Sequence, residues 1–68
     1  MRRRIREGDY ILMTSDLSSR YLQIGEVIEV KNYPHSNDVM FYRIRFNDTI
    51  MEYSYEVEDA LKVLMFER

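Results

Sequence analysis

Two apolar-rich runs, residues 39–46 and 49–55, are separated only by Asn47 and Asp48, and this spacing constrains the fold more than anything else in the chain. Asparagine and aspartate tolerate left-handed backbone better than most residues, so the pair suits a two-residue hairpin turn. Such a turn sets Phe46 opposite Thr49, Ile44 opposite Met51, Tyr42 opposite Tyr53 and Met40 opposite Tyr55. Directly opposed residues share a face of the sheet. One face is then apolar or aromatic almost throughout, while the other opposes Arg43 to Glu52, Arg45 to Ile50 and Phe41 to Ser54. A slip of one residue would send the apolar set to solvent and separate the charges. Tyr42, Tyr53 and Tyr55 are accordingly predicted as core, with their hydroxyls reaching its rim.

Residues 24–31, Ile-Gly-Glu-Val-Ile-Glu-Val-Lys, supply the strand around which the other elements are arranged. Gly25 is read as permitting a sharp backbone turn at its start, and the β-branched Val27, Ile28 and Val30 suit a pleated surface. Strict alternation would put Val27 and Val30 on opposite faces. A bulge between them brings both inward, leaves Ile28 facing out and bends the strand. Ahead of this strand, Glu7-Gly8-Asp9 is turn chemistry leading into a short apolar strand, Tyr10-Ile11-Leu12-Met13.

Residues 14–23 form the first long loop, where Thr, Ser and Asp side chains compete with the ladder for backbone hydrogen bonds. Residues 32–38, with Pro34 and several polar residues, form the second connection. Residues 56–64 carry helical spacing at Val57, Ala60, Leu61 and Leu64. A full helix would leave the sheet edge beside it open, so the segment is divided into a tight helical turn, 56–60, and a last strand, 61–64.

With 68 residues the chain holds one domain, and a chain of this size buries only about 60% of its unfolded surface. It has no cysteine, so neither disulfides nor thiolate zinc sites supplement the core. No apolar run approaches the roughly 18 residues of a membrane helix, and Arg2-Arg3-Arg4 is not followed by the apolar core of a signal peptide. These features predict a soluble, cytoplasmic protein. Residues 1–6 are read as a basic flexible arm, 7–64 as the domain and 65–68 as a tail. Ten basic and twelve acidic residues give a net charge of −2, which weighs against a dedicated nucleic-acid binder.

The order of Gly8-Asp9-Tyr10-Ile11-Leu12, Gly25-Glu26-Val27-Ile28-Glu29-Val30, Tyr42-Arg43-Ile44-Arg45-Phe46 and Val57-Glu58-Asp59-Ala60-Leu61 resembles the SH3-like small β-barrel superfamily, which includes KOW and Tudor-like modules. The resemblance implies an all-β fold, a small SH3-like barrel of five strongly bent antiparallel strands with one short helical turn before the last strand. It also implies that function resides in the loops. Such barrels host peptide, nucleic-acid and subunit binding alike, so the fold names no activity. The chain departs from peptide-binding SH3 domains in having no tryptophan, which counts against proline-rich ligands.

The site candidates follow from residue type. Tyr21 and Tyr33 lie in the two long loops, and Arg43 and Arg45 face outward beside Phe41 and Ile50, a composition enriched at protein interfaces. Tyr21, Tyr33, Phe41, Arg43 and Arg45 are therefore the predicted partner-binding residues. Arg2, Arg3, Arg4 and Arg6 are candidate phosphate contacts, each adding to salt-dependent affinity. His35 lacks the companions that catalysis or zinc would need, and Glu56, Glu58 and Asp59 lack the spacing of a calcium loop. No catalytic residue, cofactor or metal is expected. The sequence points to a non-enzymatic binding module that attaches to, and regulates, a larger protein, of a size that suits a bacterial, viral or organellar accessory factor. The alternative is a KOW-like nucleic-acid module using the arm with Arg43 and Arg45.

Overall fold

Residues 4–64, which the computed structural model describes, form β1 (Tyr10–Met13), β2 (Ile24–Asn32), β3 (Val39–Phe46), β4 (Thr49–Ser54), a 3-10 helix (Tyr55–Ala60) and β5 (Leu61–Leu64). All strands are antiparallel and lie in one sheet of order β4-β3-β2-β1-β5. The sheet is open, with β4 and β5 as its edges among the described residues. Its hydrogen bonding therefore does not close the barrel that the resemblance implies.

The hairpin takes the register read from its sequence. Phe46 pairs with Thr49, Ile44 with Met51, Tyr42 with Tyr53, Arg43 with Glu52, Arg45 with Ile50 and Phe41 with Ser54. Asn47 takes the left-handed conformation at φ 55°. Pairing ends at Phe41 and Ser54, because the 3-10 helix starts at Tyr55. Tyr55 is consequently 52% exposed rather than core.

The bend in β2 arises at the expected bulge. Val27 pairs with Ile44 and Glu29 with Arg43, so Ile28 is the extra residue, and Val30 then falls opposite the core residue Tyr42. An extra residue on one strand bends it and raises its twist. A second irregularity, between Lys31 and Asn32, precedes the last pair of the β2 and β3 ladder, Asn32 with Val39.

The core sits on the concave inner face. Ile11 and Met13 of β1, Val27 of β2, Tyr42, Ile44 and Phe46 of β3, and Leu61 of β5 are all buried. Ile5 joins them at 7% exposure, so the core takes in a residue of the segment read as an arm. A turn holds it there. The Arg6 N–H donates to Asp9 Oδ2 at 2.8 Å, the Asp9 N–H donates to the Arg6 carbonyl at 3.1 Å, and Asp9 is itself buried. Residues 1–3 and the predicted tail, 65–68, lie outside the described residues.

Gly25 is explained by space rather than by backbone conformation. It is buried opposite Ile11, and a Cβ built on it would lie 2.5 Å from Ile44 Cγ2 and 2.8 Å from Phe46 Cε1. Its φ lies outside the left-handed region, which among the glycines only Gly8 occupies. The glycine lets β3 side chains pack down on β2, a close approach that a methyl group would prevent.

Candidate interaction surface

The outer face of β3 brings together three of the predicted residues, Phe41, Arg43 and Arg45. Strand periodicity places them there, and antiparallel pairing sets Arg43 between Glu29 and Glu52, Arg45 between Glu26 and Ile50, and Phe41 between Lys31 and Ser54. Arg43 donates from Nη1 to Glu29 Oε1 at 2.9 Å and from Nη2 to Glu52 Oε2 at 3.0 Å. Its guanidinium carbon lies 5.2 Å from the Phe41 ring centroid, within the range of a cation-π contact. Arg45 pairs with Glu26. Two guanidinium groups are thus matched by three carboxylates, and Phe41 is half-buried beside Arg43. Each exposed pair contributes at most about 1 kcal/mol. Any incoming phosphate would still have to compete with carboxylates already in place.

The remaining predicted residues are dispersed. Tyr21, 47% exposed, lies on the first loop, while Tyr33 is exposed in the second. Tyr33 and Arg4 line a cleft of about 390 Å³ with Asp38, Val39, Tyr55 and Glu58. Arg4 also donates from Nη2 to the Asn37 carbonyl at 3.3 Å. The side chain of Arg6 is exposed. Arg2 and Arg3 fall outside the described residues. His35 is an exposed loop residue, as are Glu56 and Asp59 on the 3-10 helix, whereas Glu58 accepts a hydrogen bond from the Tyr42 hydroxyl at 3.3 Å.

A surface that the predicted set omits lies on the outer face of β2, β1 and β5. Leu12 pairs with Ile24, and Tyr10, two residues along on the same face, pairs with Leu64. The four side chains form an apolar strip that runs diagonally between Glu26, opposite Tyr10, and Lys62, opposite Leu12, with Ile24 54% and Tyr10 45% exposed and Leu12 and Leu64 half-buried. The loop beside the strip adds Leu22, 59% exposed, which is held at φ 63°. Its N–H donates to the Met13 carbonyl at 2.8 Å, and the Met13 N–H donates to the Gln23 carbonyl at 3.0 Å. These bonds carry the β1–β2 ladder past its regular end and fix the leucine in a conformation that only glycine adopts freely.

A signal for the strip was present in β1. Four consecutive apolar residues are apolar on both faces of a strand, and one small sheet has no second layer to cover the outer one.

Two of the three serines of the first loop act locally. Ser15 Oγ accepts from the Leu17 N–H at 3.3 Å and Ser18 Oγ from the Arg20 N–H at 3.0 Å. Thr14 ties the start of the loop to the end of the 3-10 helix, since its N–H and its hydroxyl both donate to the Ala60 carbonyl, at 2.8 and 3.0 Å. No helix among the described residues is long and apolar enough to cross a membrane. Compared with protein-family models, with curated proteins and with solved structures, the chain finds no match.

Proposed function

We propose that the chain is a non-enzymatic binding module of SH3-like barrel form that docks onto a larger protein. The strand order, the bulge that bends β2 and the 3-10 helix before the last strand support the barrel reading. The observation that carries the binding function is the apolar strip of Ile24, Leu12, Tyr10 and Leu64, extended by Leu22. Contiguous exposed apolar surface is costly in a soluble domain and marks places where another molecule binds. The competing reading, a nucleic-acid module built on the arm with Arg43 and Arg45, has against it the glutamates that pair with both arginines.

Affinity capture from the source cell, with and without nuclease, separates the two. The expected result is one stoichiometric protein, retained after nuclease and lost when Ile24 or Tyr10 is replaced by Ser. Both side chains are about half exposed, so these variants should melt close to the wild type. Capture that depends on nucleic acid, or that is indifferent to both substitutions, would refute the proposal.

A further inference from the structure

Because the sheet is open, β4 has no strand on its outer side among the described residues. Natural edge strands are usually guarded by lysine, proline, a bulge or very short length, since an unguarded edge invites another strand to pair with it. β4 has none of these. It reads Thr-Ile-Met-Glu-Tyr-Ser, pairs with β3 over its whole length without a register shift, and its one charge, Glu52, is engaged by Arg43. The opposite edge, β5, is shorter and carries the exposed Lys62.

The neighbouring ladders decide which backbone groups of β4 face outward. The Val27 N–H donates to the Asp9 carbonyl and the Gly8 N–H donates to the Val27 carbonyl, both at 2.8 Å, so Val27 directs its two groups away from β3. Ile44, paired with Val27, therefore turns its own groups to β4, and bonded and non-bonded pairs alternate from there along the hairpin. Thr49, Met51 and Tyr53 bond to β3, while Ile50, Glu52 and Ser54 point out. Ser54 is the N-cap of the 3-10 helix, a position whose carbonyl starts the helical bonding. Ile50 and Glu52 remain to pair with an added strand.

We infer that this edge pairs with the same edge of a second copy of the chain, antiparallel about a two-fold axis at Met51, so that the two sheets join into one. Ile50 of each copy then exchanges both hydrogen bonds with Glu52 of the other, and the same patch serves both sides. Charge selects this occupant and this register. Across the interface the outer face runs through Glu26, Arg45 and Ile50 of one copy into Glu52, Arg43 and Glu29 of the other, and the two-fold repeats that row in reverse. The charges alternate in sign along the whole row. An axis at Glu52 would set two like charges directly opposite each other, and an axis at Tyr53 would carry Ile50 past the end of the other β4, to residue 56 in the 3-10 helix. On the inner side a groove of about 540 Å³, lined by Met51 and Tyr53 and by Leu17 of the first loop, leaves room for the side chains of an added strand. The apolar strip lies across β2, β1 and β5, away from this edge, so the dimer presents it twice.

Self-pairing does not depend on the docking reading above, and its test leaves the strip intact. The full chain is followed by sedimentation equilibrium near 0.15 M salt, over a dilution series from millimolar to micromolar protein, with amide hydrogen exchange measured at both ends. A monomer–dimer equilibrium is expected, in which the Ile50 and Glu52 amides exchange more slowly at high concentration and the amides of β5 do not change. Ile50→Glu puts a like charge opposite Glu52 at both symmetric positions and should weaken dimerisation about tenfold. Ile50→Lys, opposed to the same glutamate, should leave it equal or tighter. Ile50 is 54% exposed, so both variants should keep the wild-type circular dichroism. A monomer at millimolar concentration, a dimer whose Ile50 and Glu52 amides are not slowed, or equal effects of the two variants would each overturn the inference. A dimer lost with Ile24→Ser and indifferent to Ile50→Glu would assign self-association to the strip and overturn it as well.

Discussion

Gly25 and Leu22 are constrained in opposite ways, one by space and one by backbone. A Cβ at Gly25 has nowhere to go between Ile44 and Phe46, so Gly25→Ala should lower stability by about 1–3 kcal/mol, as overpacking of a filled core does. At Leu22 the positive φ strains a residue with a side chain, and Leu22→Gly should raise stability by up to about 1 kcal/mol while weakening partner capture. Denaturant midpoints for the pair check both signs. A loss of stability at Leu22 would mean that its side chain packs rather than presents itself. Tyr53→Phe removes a buried hydroxyl that has no partner and should leave the melting temperature equal or higher. None of the three was legible beforehand. The sequence marks Gly25 as permissive, but only the packed neighbours show that volume, not φ, requires it.

The β3–β4 hairpin was the most legible element, because its alternation and its turn independently imply one register. Ile44 is fully buried whereas Glu52 is an exposed partner of Arg43. Ile44→Ala should therefore cost about 2–5 kcal/mol and Glu52→Ala less than about 1 kcal/mol. Comparable small losses in a urea titration would contradict the observed register. The bulge at Ile28 was legible for a related reason, since two valines three apart can share a face only if one residue is extra. The last turn of β4 was not. Tyr55 continues the alternation in sequence, yet the backbone leaves the sheet there to start the 3-10 helix, and nothing in the alternation announces that change. The candidate site was half legible. Arg43 and Arg45 do share a face with Phe41, but their neutralisation required Glu26 and Glu29 from β2, whose register against β3 depends on the bulge.

Taken across the sheet, the charges argue for modest attraction to polyanions. Twelve acidic residues exceed ten basic ones, and the arginines of β3 are already paired. Binding to RNA or DNA at physiological salt should be no tighter than the roughly 10⁻⁴ to 10⁻⁶ M of non-specific contact, falling with salt by a log-log slope of about 0.9 per phosphate on duplex DNA. Deleting residues 1–4 should remove most of it and leave partner capture intact, while stopping short of the buried Ile5. Nanomolar affinity lost with Arg43→Ala and Arg45→Ala would reverse the functional assignment. The topology also sets an order of events during synthesis. β1, near the start of the chain, pairs with β5, so that Tyr10 meets Leu64 and Met13 meets Leu61. Contacts of such long sequence separation form late and slow the folding of small β domains. While the chain is emerging, β2, β3 and β4 can assemble as a meander, but β1 keeps an open edge until residues 61–64 are available. A released chain truncated after residue 60 should accordingly remain protease-sensitive in β1, and protection should arrive only when residues 61–64 are present.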